Sequence, residues 1–232
     1  MTQILKSGSY DFKKKKKILS QIEEAQERGG YNHPVLVIAV TKTHPFSSIE
    51  ECFKNGIMSI GENTIQEAEQ KFKELKPMPG LEKRFIGKLQ SNKVNKCLAL
   101  FDRIDSVDSV KLANRINNRA IMLEKTIPVL LEVNTSGENQ KNGFQPRQVE
   151  EMFSCIERSN LTVTGLMTIG PRTKDREKSR AAFIRLRKVR EELKQKTVQD
   201  LSMGMSGDFE LAVEEGSTIV RIGTALFGTR NT

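Results

Sequence analysis

Lys42 is the reactive side chain in the least polar setting of the sequence: it follows Val35-Leu36-Val37-Ile38-Ala39-Val40 with one threonine between. A run apolar on both faces reads as a buried parallel strand. A lysine closing such a strand stands at the edge of the core, where lost water disfavours the ammonium and lowers its pKa. The neutral amine is a nucleophile that forms a Schiff base with an aldehyde. On this strand alone, a lysine that snorkels to solvent is the better reading. Ser206-Gly207 and Gly223-Thr224 offer a second chemistry: backbone N–H groups, hydroxyls and glycines that let an anion come close. Either glycine alone is explained by crowding at a turn, but the pair, each at a strand end, favours a phosphate site. Arg221 shares a strand face with Ile219 and Gly223. If that face lines an interior, the guanidinium needs an acceptor, and a ligand or a neighbouring Asp or Glu serves equally well.

These residues need elements to position them. Short β-branched runs alternate with longer polar segments of helical period, which argues for a parallel sheet covered by helices. The candidate strands are Val35–Val40, Ile57–Ile60, Arg84–Ile86, Phe101–Ile104, Val129–Val133, Thr162–Met167, Asp200–Met203 and Thr218–Ile222. Eight such strands close a single (β/α)8 TIM barrel, here with an extra N-terminal helix over Asp11–Arg28. The third strand is the weakest, and an open doubly wound sheet is the alternative if it fails. Between strands, Ser47 and Ser48 are expected to cap Ile49–Asn55, Pro146 to open Arg147–Arg158, and helices to span Asp175–Lys196 and Asp208–Glu215. The unexplained polar and glycine residues follow the strands: Thr41-Lys42-Thr43, Gly61-Glu62-Asn63, Gly87-Lys88, Asn134-Thr135-Ser136-Gly137, Ser206-Gly207 and Gly223-Thr224. In a barrel they meet at the C-terminal face, where this fold builds its sites, and the loops after the last two strands are its usual phosphate grip.

Composition narrows the classes. The 232 residues suit one barrel domain over 1–232, and no linker or repeat divides them. The longest apolar run is far short of the roughly 20 residues of a membrane span, and the start carries no signal-peptide core. Cys52, Cys97 and Cys155 form no C-x-x-C and read as reduced thiols of a cytoplasmic protein. The only histidines, His33 and His44, belong to no triad or ligand cluster, so no metal site is expected. The net charge of +9 admits nucleic acid, but the Lys13–Lys17 run shares its segment with Glu23, Glu24 and Glu27 and has no interleaved aromatics. It reads as a solvated helix face.

Seven blocks occur in order: VIAVTKTHP, IGENTIQEAEQK, RFIGKLQSNK, EVNTSGENQKNGF, TGLMTIG, LSMGMSGDFELAV and VRIGTALFG. In these the chain, from about Val35 to Arg230, resembles the pyridoxal 5'-phosphate (PLP) homeostasis proteins, also called the proline synthase co-transcribed homologue family. The resemblance implies a (β/α)8 barrel like the N-terminal domain of alanine racemase. It implies that Lys42, in Val40-Thr41-Lys42, carries PLP as a Schiff base; that Ser206, Gly223 and Thr224 grip the phosphate; that Arg221 faces the pyridine nitrogen; and that Asn63 and Met167 line the pocket. Thr64, Lys88 and Gly207 depart from residues common in the family, and none of them is the lysine or the arginine.

Binding is expected rather than turnover. A guanidinium only donates, so it holds the pyridine nitrogen unprotonated and weakens the electron sink. The racemases add a second domain with a tyrosine acid/base, whereas here the sequence ends at Thr232 and its tyrosines, Tyr10 and Tyr31, precede the first strand. The expected role is a PLP reservoir or carrier, monomeric, with PLP-requiring apoenzymes as candidate recipients. A weak racemase is the alternative, and a basic nucleic-acid binder is the third class.

Overall fold

Ile38, Ala39 and Val40 are buried on both sides, as a strand lying between a filled interior and a helical shell requires. The computed structural model describes residues 12–74, 76–138 and 140–228; Tyr10 and Asp11 lie outside them. Within them, parallel strands β1 (Leu36–Val40), β2 (Ser59–Glu62), β3 (Glu82–Phe85), β4 (Arg103–Val107), β5 (Ile127–Glu132), β6 (Leu161–Met167), β7 (Asp200–Met205) and β8 (Ile219–Ile222) follow one another round a closed barrel. Closure is made by β8 on β1, with Leu36 opposite Ile219 and Ala39 opposite Ile222. The weakest expected strand therefore forms: β3 pairs with β2 from Ser59↔Glu82 to Glu62↔Phe85.

The helices are α1 (Phe12–Gly29), α2 (Phe46–Lys54), α3 (Ile65–Phe72), α4 (Val94–Leu100), α5 (Val110–Met122), α6 (Val149–Ile156), α7 (Arg176–Leu193), α8 (Phe209–Glu214) and α9 (Thr224–Phe227). Several start where side chains alone did not indicate. Pro45 stands at the N-cap of α2 without a side-chain cap, and Ser48 is buried inside the first turn. Gln148, not Pro146, precedes α6. Asp175 does cap α7, accepting from the backbone N–H groups of Glu177 and Lys178. On α1, Ile18, Ile22 and Ala25 are buried against the barrel, while Lys13, Lys16 and Lys17 lie on its exposed side.

Alternation along the strands sorts the barrel interior. Ile38, Leu130, Met167 and Ile219 pack together inside it. Two residues onward along their strands, on the same face, stand Val40, Glu132 and Arg221. From β3, Arg84 is buried and joins Asp105 at 3.0 Å, which satisfies a charge the apolar pattern of a strand would have excluded.

Candidate functional site

The strand ends open on a cavity of about 470 Å³ whose wall includes Lys42, Asn63, Lys88, Glu132, Arg221 and Thr224. That volume suits a small cofactor. Every residue expected at the site lines it except Met167, which is fully buried with Ile38, Leu130 and Ile219 and lies in the packed interior instead.

Lys42 is two residues beyond the end of β1, in a turn closed by the N–H of His44 on the carbonyl of Thr41 at 3.0 Å. Thr41 is completely buried, and Lys42, one residue on, is half-buried at the cavity wall. It makes no hydrogen bond or ion pair with a described residue. Lys88, also on the wall, has its Nζ 2.6 Å from Asn142 Oδ1, and Lys93 lines a smaller neighbouring cavity.

Next to the Lys42 turn stand the ends of β8, which pairs with β1, and of β7. Ser206 Oγ accepts from the backbone N–H groups of Gly223 at 3.2 Å and Ala225 at 3.1 Å, tying the two loops together. Crowding does not account for the glycines: a Cβ at Gly207 would meet nothing within 4 Å, and one at Gly223 only Val40 at 3.5 Å. What glycine provides at both is access to the backbone from the cavity.

Arg221 is buried without an ion pair among the described residues. Its Nη1 donates to the carbonyl and hydroxyl of Ser202 at 2.8 and 2.7 Å, and its Nη2 to the carbonyl of Thr168 at 2.7 Å. These neutral acceptors fix the plane of the guanidinium, and its Nε–H has no described partner. Burial lowers its pKa, opposed by the carboxylates of Asp105, Asp208 and Glu132.

Glu132, Asn142, Ile169 and Met205 also line the cavity and were not singled out from sequence. Glu132 was findable, since strand alternation puts it two residues past the interior Leu130. Asn142 was not: it reaches the cavity because the chain after β5 returns to bridge Val133 with Phe144. Burial, reinforced by the Asp108 carboxylate, pushes the Glu132 carboxyl up from 4.5 to about 7, against the pull of Arg221 and Lys88. The folded protein then holds this proton more tightly than the unfolded chain. Full stability exists below about pH 4.5 and is lost as pH rises through about 7. The loss is on the order of 3 kcal/mol. Glu132→Gln is expected to be the more stable protein at pH 8 and to lose this slope, as measured by urea denaturation from pH 5 to 8; an unchanged pH dependence would remove Glu132 as its source.

Among the described residues, no group of His, Cys, Asp and Glu is placed to hold a metal ion, and no helix is long and apolar enough to cross a membrane. The family model for the alanine racemase N-terminal domain matches residues 15–231. The pyridoxal phosphate homeostasis protein of Vibrio cholerae is 42% identical over 221 residues, spanning 92% of this chain and 94% of the relative. Among solved structures, PipY of Synechococcus elongatus with PLP bound is 37% identical, covers 90% of this chain and 100% of its own, and superposes with a TM-score of 0.79. Alanine racemase of Clostridium difficile, at 15% identity, shares the fold alone: TM-score 0.73, over 92% of this chain and 56% of the racemase.

Proposed function

The chain belongs to the alanine racemase N-terminal-domain family and, within it, to the pyridoxal phosphate homeostasis proteins, and from that premise we propose that it holds pyridoxal 5'-phosphate covalently on Lys42 as a reservoir or carrier in the cytoplasm. The observation that carries the reading is one cavity that brings together a lysine amine without a partner among the described residues, at the end of β1, and a glycine-lined pair of loops with a buried arginine at the ends of β7 and the neighbouring β8. These residues fit the cofactor. Ser206, Gly223 and Thr224 would take its phosphate, Arg221 its ring nitrogen, Lys42 its aldehyde, and Asn63 would flank it. When bound, the cofactor supplies an aldehyde that condenses with amines and a ring that withdraws electrons.

The chain's own residues favour retention over turnover. Arg221 has no proton acceptor and cannot protonate a ring nitrogen at neutral pH, so it favours the weaker electron sink. Tyr31 packs beside His33 and Gly216, which precedes β8, and so stands at the opposite end of the barrel from the cavity. Burial of Cys52 and Cys97 pushes both thiols up to about 12, so neither is a ready nucleophile. The recipients of such a carrier would be PLP-requiring apoenzymes.

Equilibrium dialysis tests the binding: the protein should retain one PLP per chain and hold pyridoxal, which lacks the phosphate, far more weakly. Equal retention of both would remove the phosphate site. Turnover is tested by incubating the loaded protein with L-alanine in deuterated water. Loss of the α-hydrogen should not exceed that caused by free PLP, and protein-proportional exchange would establish the weak racemase instead.

A further inference from the structure

Lys42 sits between two backbone groups held by one charge cluster outside the cavity, buried at Glu62 and Lys71 and partly exposed at Glu67. Lys71, on α3, is buried, and its Nζ donates to the carbonyl of Thr41 at 2.7 Å, to Glu62 Oε1 at 2.8 Å and to Glu67 Oε1 at 2.6 Å. The Thr41 hydroxyl donates to Glu62 Oε1 at 2.7 Å. Glu67 Oε1 also accepts the backbone N–H of Thr43. Thus the residue before Lys42 is held through its carbonyl by Lys71, and the residue after it through its N–H by Glu67.

The turn needs holding. Thr43 has φ +64, a left-handed conformation that a β-branched residue adopts only when its surroundings impose it. Glu62, completely buried with Oε2 unpartnered, would be costly there without the Lys71 ammonium. A helix-to-strand staple would have served stability without engaging both flanks of one cavity residue. We propose that Lys71 and Glu67 are positioning residues: they lock the Thr41–Thr43 turn so that the Lys42 amine is presented to the cavity. The inference rests on the proposed covalent role of Lys42.

The test separates presentation of the amine from docking of the phosphate and from folding. Glu67→Ala removes the acceptor for the Thr43 N–H while leaving the Lys71–Glu62 pair. Glu67→Gln keeps an oxygen acceptor and serves as the conservative rescue. Lys71→Met strands Glu62 and is expected to unfold more readily, so the Glu67 variants decide the matter. Three quantities are measured: the urea midpoint, the affinity for pyridoxine 5'-phosphate, which has no aldehyde, and the rate at which borohydride traps PLP on Lys42. Glu67→Ala should keep its fold and its affinity for the aldehyde-free ligand within about twofold, yet trap PLP at least about tenfold more slowly. Glu67→Gln should recover most of that rate. Trapping by Glu67→Ala at the wild-type rate would overturn the positioning role, as would a parallel fall in trapping, affinity and stability. A wild-type protein that yields no adduct on Lys42 would instead overturn the covalent role on which this inference stands.

Discussion

Lys42→Ala is expected to abolish the visible absorption of the PLP-loaded protein while leaving its fold intact. The side chain is half-buried and makes no hydrogen bond or ion pair with a described residue, so truncating it should shift stability by no more than about 0.5 kcal/mol. The loops after β7 and β8 remain, and weak, colourless binding through the phosphate should persist. Lys88 should not substitute: its ammonium is held by Asn142 at 2.6 Å. Retention of the full wild-type spectrum in Lys42→Ala would show that another amine carries the cofactor.

The second large effect belongs to Gly223→Val. A Cβ there would meet Val40 at 3.5 Å, an ordinary contact, so the variant should fold. Gly223 lines the cavity as the residue before α9, so the valine's branched side chain would take up space on the wall where the phosphate would sit. Losing one charge-assisted hydrogen bond costs about 1.5–3 kcal/mol, or roughly 10- to 100-fold in affinity. Equilibrium dialysis of PLP and of pyridoxine 5'-phosphate should show the same loss, because both present the phosphate. Wild-type affinity for both would remove Gly223 from the phosphate grip.

The barrel was legible because most strand residues are buried on both faces, which leaves β1 as an uninterrupted apolar run between polar segments. β3 was hardest to see: its residues are Glu82-Lys83-Arg84-Phe85, and the pairs of Arg84 with Glu82 on its own strand and with Asp105 on β4 make such a strand tolerable inside. The start of α2 misled for the opposite reason. Ser47 and Ser48 are good caps in isolation, but the turn that carries Lys42 ends at Pro45 and the helix begins at once. At the site, Lys42, Ser206, Arg221 and Gly223 could be picked out because each breaks a pattern at a strand end. Met167 could not be placed from its block alone: it faces the barrel interior, but in the layer of Ile38, Leu130 and Ile219 beneath the cavity, and Ile169, two residues on, is the one that lines the wall. Alternation could place Glu132 on the inward face, but its raised carboxyl comes from burial and from Asp108 beside it, which only the fold brings about. In the clamp only the i,i+4 pair of Glu67 and Lys71 is local; its meeting with Glu62 and with the Thr41–Thr43 turn depends on the fold.

The most direct test of the account is to load the wild-type protein with PLP, reduce it with borohydride, digest it and map the modified peptide. Reduction makes the lysine–cofactor bond a stable secondary amine, so the map names the residue. The account predicts a single adduct, on Lys42, in stoichiometric yield. An adduct on Lys88 or Lys93 with Lys42 unmodified, or no adduct on a protein that still binds PLP, would contradict it.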